Sequence, residues 1–411
     1  MPKETTHRLP GTVRPEKYTI ELRPDLTGFT FRGDEFIAIR VLQPVKIIVL
    51  NASELEVTQA TLQGRDGRLV PAKKIDQGKG TQRLRLTFGT LIPKGAATLH
   101  LAFTGILNDE LSGFYRSRYT MANGTEGYMA STQFESTDAR RAFPCWDEPA
   151  AKATFDLSLV VPNGMAAVSN TPIVQETDLG DGTRLVRFAE TPRMAPYLLA
   201  FVLGPLEAIK GATREGTKIG VWALPDRIAH GRWGLEESIR VLEYLNEYYG
   251  IPYPLQKLDH LALQDFAAGA MENWGAITYR ERILLFDPAT SSAQTRQNIV
   301  DVIAHETAHM WFGDLVTMAW WDDLWLNESF ATWMGTKTVS ALHPEWEMWT
   351  QFLDAETVRG LVLDGLRSSH PIEVPVKDPA EIREIFDEIS YSKGASVLRM
   401  LEQFLGEASF R

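Results

Sequence analysis

The chain has 411 residues, with 42 Lys and Arg against 53 Asp and Glu, and so a net charge of −11. That balance argues against nucleic acid as a main partner and offers no basic patch to an anionic membrane. Hydrophobic content of 44% and charged content of 23% are those of an ordinary globular protein, long enough for about two or three domains.

No run of about 18 apolar residues exists, so no transmembrane helix is expected. Cys145 is the only cysteine, which forbids an intramolecular disulfide and suits a reducing compartment. The start, Met1 to His7, has no apolar run behind its charges. No secretory signal is read there, and a cytoplasmic location is expected. The sequons at Asn51, Asn123 and Asn327 are accordingly read as accidental.

Up to about Pro205 the pattern is short and alternating. Tyr18 to Leu22 and Arg83 to Phe88 read as strands with one buried face. Phe36 to Leu42, Val45 to Leu50, Leu99 to Phe103, Phe155 to Val161, Thr183 to Phe188 and Leu198 to Val202 are further candidates. Gly, Pro, Asn and Asp separate many of them, as turns require. This half is expected to be all-β. Beyond it, Ile228 to Tyr249 carries Leu235, Ile239, Leu242 and Leu245 at helical spacing before Gly250 and Pro252. Strands are expected at Leu261 to Leu263 and Ala276 to Tyr279. A helix is expected from about Thr295 to Gly313 and another from Asn327 or Glu328 to Val339. Helices near Trp346 to Leu366 and Ala395 to Leu405 follow. The second half reads as helical with a small sheet.

The helix over 295–313 contains His305-Glu306-Thr307-Ala308-His309. Residues four apart on a helix share a face, so two neutral imidazoles can reach one metal ion. Glu306 between them is placed as a general base, and Glu328, 19 residues beyond His309, can supply a third ligand. Three protein ligands and an open position describe a catalytic zinc site. The plainer alternative is a buried helix with two hydrogen-bonded histidines. Ile299, Val300, Ile303, Ala304, Trp311 and Phe312 make this a core helix, in which unpaired polar groups are costly, and one metal would satisfy all of them.

Other segments say little alone. Gly269-Ala270-Met271-Glu272-Asn273-Trp274 is by itself a glycine-containing turn, and Gln133-Phe134-Glu135 has no signature. Cys145 reads as a small buried hydrophobe, and Tyr391 as a half-buried aromatic with a wet hydroxyl. Taken in order they change meaning. The His-Glu-x-x-His motif followed by Glu328, with Gly-Ala-Met-Glu-Asn upstream and Tyr391-Ser392-Lys393-Gly394 downstream, resembles the M1 family of zinc aminopeptidases. Trp325 to Ala331 and Ser369 to Val374 extend the likeness over nearly the whole chain, most closely to the puromycin-sensitive, cytosolic branch.

The resemblance implies a multidomain protein. An N-terminal all-β, sandwich-like saddle domain (1–205) precedes an α+β thermolysin-like zinc catalytic domain (206–411). It implies one Zn²⁺ per chain on His305, His309 and Glu328, with Glu306 as base and Tyr391 as donor to the oxyanion. Glu272 and Glu135 would hold the substrate's ammonium group, Gln133, Ala270 and Met271 would border the first side-chain pocket, and Gly269 and Asn273 would be further substrate-binding residues. The partners implied are peptides with a free N-terminus. Family members continue through the rest of the catalytic domain into a large C-terminal helical domain, so the resemblance implies that this chain is C-terminally truncated, with its catalytic domain incomplete. Two other readings remain. One is a fragment acting only as a binding or interaction module, and the other an epoxide-hydrolase-like relative on the same scaffold.

Overall fold

A computed structural model describes residues 7–78 and 80–411. The stretch 1–6, read above for a leader, lies outside the described residues. The chain divides into two compact units, Met1–Leu206 with Gln264–Ala267, and Glu207–Leu263 with Ala268–Arg411.

The first unit is β-rich. Its strands are β1 (Val13–Asp25), β2 (Thr30–Val41), β3 (Val45–Asn51), β4 (Leu55–Gln63), β5 (Leu69–Gly78), β6 (Arg83–Ile92) and β7 (Gly95–Ile106). They continue with β8 (Gly113–Thr120), β9 (Glu126–Gln133), β10 (Thr154–Pro162), β11 (Ala166–Ser169), β12 (Ile173–Asp178), β13 (Thr183–Phe188) and β14 (Phe201–Gly204). Among the described residues one sheet runs β12-β13-β10-β1-β2-β7-β4-β5-β6-β3 and a second β11-β14-β9-β8. Alternation in β1 buries Tyr18, Ile20 and Leu22. Tyr18 stacks at 5.0 Å on Phe155 of the neighbouring strand β10 in the same sheet, and the two sheets meet where Phe31 of β2 packs edge-on against Phe114 of β8 at 5.1 Å. The strand expected over Leu198 to Val202 starts only at Phe201, because Pro196 to Leu198 wind into a single 3-10 turn.

The second unit combines helices with a small sheet. Its elements are β15 (Glu207–Ala212), β16 (Lys218–Ala223), α1 (Arg232–Tyr249), β17 (Lys257–Leu263), β18 (Ala270–Met271) and β19 (Ala276–Arg280). There follow α2 (Glu281–Leu284), α3 (Ala293–Ala308), α4 (Leu324–Leu342), α5 (Met348–Phe352), α6 (Arg359–Asp364) and α7 (Gly394–Leu405). The sheet order is β15-β16-β17-β19-β18, with β16, β17 and β19 parallel. Central β17 is buried along its whole length despite Lys257, Asp259 and His260. Lys257 and Asp259 form an ion pair at 2.6 Å, and His260 Nδ1 lies 2.9 Å from the Tyr279 hydroxyl. Burial holds the His260 imidazole neutral, with its pKa down at about 3. None of the helices among the described residues is long and apolar enough to cross a membrane.

Candidate metal centre

Helix α3 begins at Ala293, two residues before the expected Thr295, because the Ser292 side chain caps it by accepting from the Thr295 amide at 3.0 Å. It ends at Ala308, not at Gly313 as expected, and His309 caps it. Beyond that point the amides of Asp314 and Val316 return to the carbonyls of His309 and Trp311, and Gly313 takes a φ of +143°. A helix cannot continue through that conformation. The turn brings the Phe312 carbonyl within 3.0 Å of His309 Nδ1. A carbonyl can only accept, so Nδ1 carries a hydrogen, which leaves Nε2 as the nitrogen that faces a metal.

Helix α4 also departs from expectation, starting at Leu324 instead of Asn327 or Glu328. Trp321 and Leu324 are fully buried, and a 3-10 turn over Trp321–Asp323 winds directly into the helix. Glu328 therefore sits inside the helix on its buried face. The two helices come together backbone to backbone at Gly335, where a Cβ would lie 3.1 Å from the His305 nitrogen. That close approach is what brings Glu328 across to α3.

Three donor atoms then converge. His305 Nε2 and His309 Nε2 are 3.1 Å apart, and Glu328 Oε2 is 3.4 Å from the first and 3.5 Å from the second. Ligands bound tetrahedrally at about 2.1 Å from one ion stand about 3.4 Å from each other, so the donor set fits a small metal ion. Electrostatics point the same way. Burial disfavours a charged His309, yet Glu272, Glu328 and Glu306 together hold its pKa well above the usual value. Burial also works against the Glu328 carboxylate, but His309 and contact with both imidazoles bring it down to about 2. Burial pushes Glu306 well above the ordinary carboxylate range; His309 opposes the shift, while Glu272 and Glu328 add to it. A pocket with this many carboxylates needs positive charge.

Glu272 follows the edge strand β18, paired with β19 through Ala270 opposite Tyr279 and Met271 opposite Thr278. Gly269 anchors the start of that pairing by accepting from the Arg280 amide at 2.9 Å. Asn273 donates from Nδ2 to the Thr278 hydroxyl at 3.1 Å, which fixes the chain on the other side of Glu272. The Glu272 carboxylate lies within 4.8 Å of that of Glu328, and its Oε1 is buried without a hydrogen-bond partner. Tyr391, in a widened helical turn over Ile389–Lys393, stacks on His305 with ring centroids 6.1 Å apart. Gln133 ends β9 in the first unit, and Glu135 follows two residues later.

Two supporting groups escaped the sequence reading. Thr332 Oγ1 lies 3.5 Å from His305 Nδ1, and it could have been found, since it is one helical turn beyond Glu328. The Phe312 carbonyl leaves no signal, because every residue has one.

Comparison with known proteins decides the family. A model described as the peptidase M1 N-terminal domain matches residues 14–198, and one described as the peptidase family M1 domain matches residues 233–411. The chain belongs to peptidase family M1. It is 47% identical to Aminopeptidase M1 of Arabidopsis thaliana, over 98% of this chain and 46% of that protein. It is 42% identical to the Puromycin-sensitive aminopeptidase of Caenorhabditis elegans, over 98% of this chain and 43% of the relative. Identity to the Alanine/arginine aminopeptidase of Saccharomyces cerevisiae is also 42%, over 98% of this chain and 47% of the yeast protein. The chain thus spans about half the length of the curated relatives it matches. In this M1 chain the β-rich unit comes first, and the helical unit with its small sheet carries the converging histidines.

Proposed function

We propose that this chain carries the core of a zinc-dependent aminopeptidase that removes the first residue from peptides with a free N-terminus. The observation behind the reading is the meeting of His305, His309 and Glu328 at 3.1 to 3.5 Å. A zinc ion held by His305, His309 and Glu328 would act as a Lewis acid and would make water acidic enough to lose a proton near neutral pH. Glu306, a buried carboxylate with a raised pKa, accepts the attacking water's proton and passes a proton to the leaving amine. Tyr391 donates to the oxygen on which negative charge develops.

Glu272, together with Glu135, takes the substrate's ammonium group, Gln133, Ala270 and Met271 border the first side-chain pocket, and Gly269 and Asn273 are further substrate-binding residues. An α-amino group has a pKa near about 8, so at neutral pH it is mostly charged. An internal amide nitrogen is not, and fixed carboxylates discriminate between them, restricting cleavage to the chain end. The buried, unpartnered Oε1 of Glu272 supports this role. Broad first-residue preference is part of the proposal, since the yeast relative's name pairs a small residue with a basic one. A cytoplasmic location rests on likeness to the puromycin-sensitive branch.

Elemental analysis of the purified protein, alongside hydrolysis of a panel of aminoacyl-aminocoumarins, tests the reading. One zinc per chain and activity abolished by chelator are expected. A folded protein that binds no zinc would overturn it.

A further inference from the structure

Ser329 directly follows the candidate ligand Glu328 in α4 and is fully buried. Its hydroxyl leaves its own helix and donates to the Ser390 carbonyl at 2.6 Å. That carbonyl belongs to the peptide unit from which Tyr391 begins. The Tyr391 turn is wider than an α-helical one: the Gly394 amide reaches back to the Ile389 carbonyl, five residues earlier. Such turns expose main-chain groups to outside partners and gather at functional sites. Gly394 has no side chain, and a Cβ there would run into the Ser329 hydroxyl. The space at Gly394 is therefore filled by the group that grips the neighbouring peptide.

The far side of the same turn is held independently. Asp387 accepts from the amides of Ile389 and Ser390 at 2.9 and 3.2 Å, and the Ser392 hydroxyl lies 2.9 Å from Glu388. Those contacts fix the turn to its own neighbourhood. The Ser329 hydroxyl instead ties it to the helix that carries Glu328.

We propose that Ser329 is a positioning residue, setting the Tyr391 hydroxyl relative to the metal ligands through its hydrogen bond to the Ser390 carbonyl. The proposal rests on the role given to Tyr391 above. It assigns Ser329 to turnover and not to metal binding, because Glu328 is held in α4 by the helix itself. A misplacement of an oxyanion donor by a fraction of an ångström raises the barrier while leaving ground-state binding in place.

The test is a double-mutant cycle in the zinc-loaded protein. Ser329→Ala should lower kcat about tenfold or more with little change in KM. Its zinc affinity, read by competition with a chelating dye, should stay close to the parent's, well short of the about 10–100-fold loss that follows removal of a ligand's support. Affinity for a phosphinic dipeptide analogue, whose tetrahedral oxygen mimics the oxyanion, should fall in step with kcat. In a Tyr391→Phe background Ser329→Ala should have no further effect. Gly394→Ala, which pushes the hydroxyl from the opposite side, should reproduce the loss and serves as the second probe should Ser329→Ala fold poorly. If the Ser329→Ala and Tyr391→Phe losses are additive, Ser329 acts elsewhere and the proposal falls, although the tyrosine's role stands. Unchanged turnover in Tyr391→Phe alone would remove that role and the proposal with it. Loss of zinc in Ser329→Ala would make Ser329 a support for the ligand instead.

Discussion

His309 Nδ1 donates to the Phe312 carbonyl at 3.0 Å, only three residues further along the chain. This contact exists because the helix stops at Ala308 and Gly313 adopts a φ of +143°. A Cβ on Gly313 would be strained at that φ and would lie 3.1 Å from His309 Nδ1 itself. Gly313→Ala is therefore expected to weaken zinc binding by about 10–100-fold, the usual loss when a ligand's outer hydrogen bond is disturbed. Chelator competition measures it. Parent-like affinity would show that the Phe312 contact does not hold the ring.

Glu306→Gln keeps the shape of the side chain and removes its basicity. Zinc content is expected to remain at one per chain while kcat falls by about 10²–10⁴-fold, the range that general base catalysis supplies. Full turnover in this variant would take Glu306 out of the proton-transfer role.

Glu272 brings a buried carboxylate oxygen without a partner to within 4.8 Å of Glu328. Glu272→Ala is expected to raise KM for free-amine peptides and to narrow the preference over their N-acetylated forms. The comparison of acetylated and free peptides on the parent protein is decisive. Equal binding of both would sink the amine anchor.

Glu35, in the middle of β2, points into the core of the first unit near Tyr18 and Cys145, and neither of its oxygens has a hydrogen-bond partner. Burial pushes its pKa well above the ordinary carboxylate range, with Asp34 adding. Above the unfolded-state pKa the unfolded chain releases this proton before the folded one does. Stability from Glu35 is thus complete at low pH and is lost as pH rises toward the folded-state pKa. Glu35→Gln, neutral at every pH, should match the parent near pH 4. Its advantage should grow to the order of 1–3 kcal/mol by pH 8, comparable to the cost of an unsatisfied buried polar group. Urea unfolding of the chain at the two pH values gives the difference. A constant difference would mean that Glu35 does not titrate with folding.

Strands with one buried face were legible before any coordinates. β1 alternates because side chains on a strand point to opposite faces, and only one face of this strand meets the core. β12 is exposed along its length and β5 has no buried residue, so neither leaves an alternating trace. Only the last residues of β17 were read as strand. Lys257, Asp259 and His260 look like surface residues until an ion pair and the Tyr279 hydroxyl satisfy them inside the sheet.

The candidate site divides along the same line. That two imidazoles share a face follows from the four-residue spacing of His305 and His309, since helical periodicity is local covalent geometry. The helix itself is legible over about 295–313, although neither its Ser292 cap nor its end at Ala308 is. Three things depend on contacts between segments distant in sequence: Glu328 meeting the imidazoles, Glu272 standing beside it, and Tyr391 stacking on His305. Those meetings need α4 to approach α3 at Gly335 and Ser329 to bridge to Ser390. No local pattern encodes such distances. Side-chain spacing along one element is set by its own backbone, whereas the distance between elements is set by what each must bury against the other.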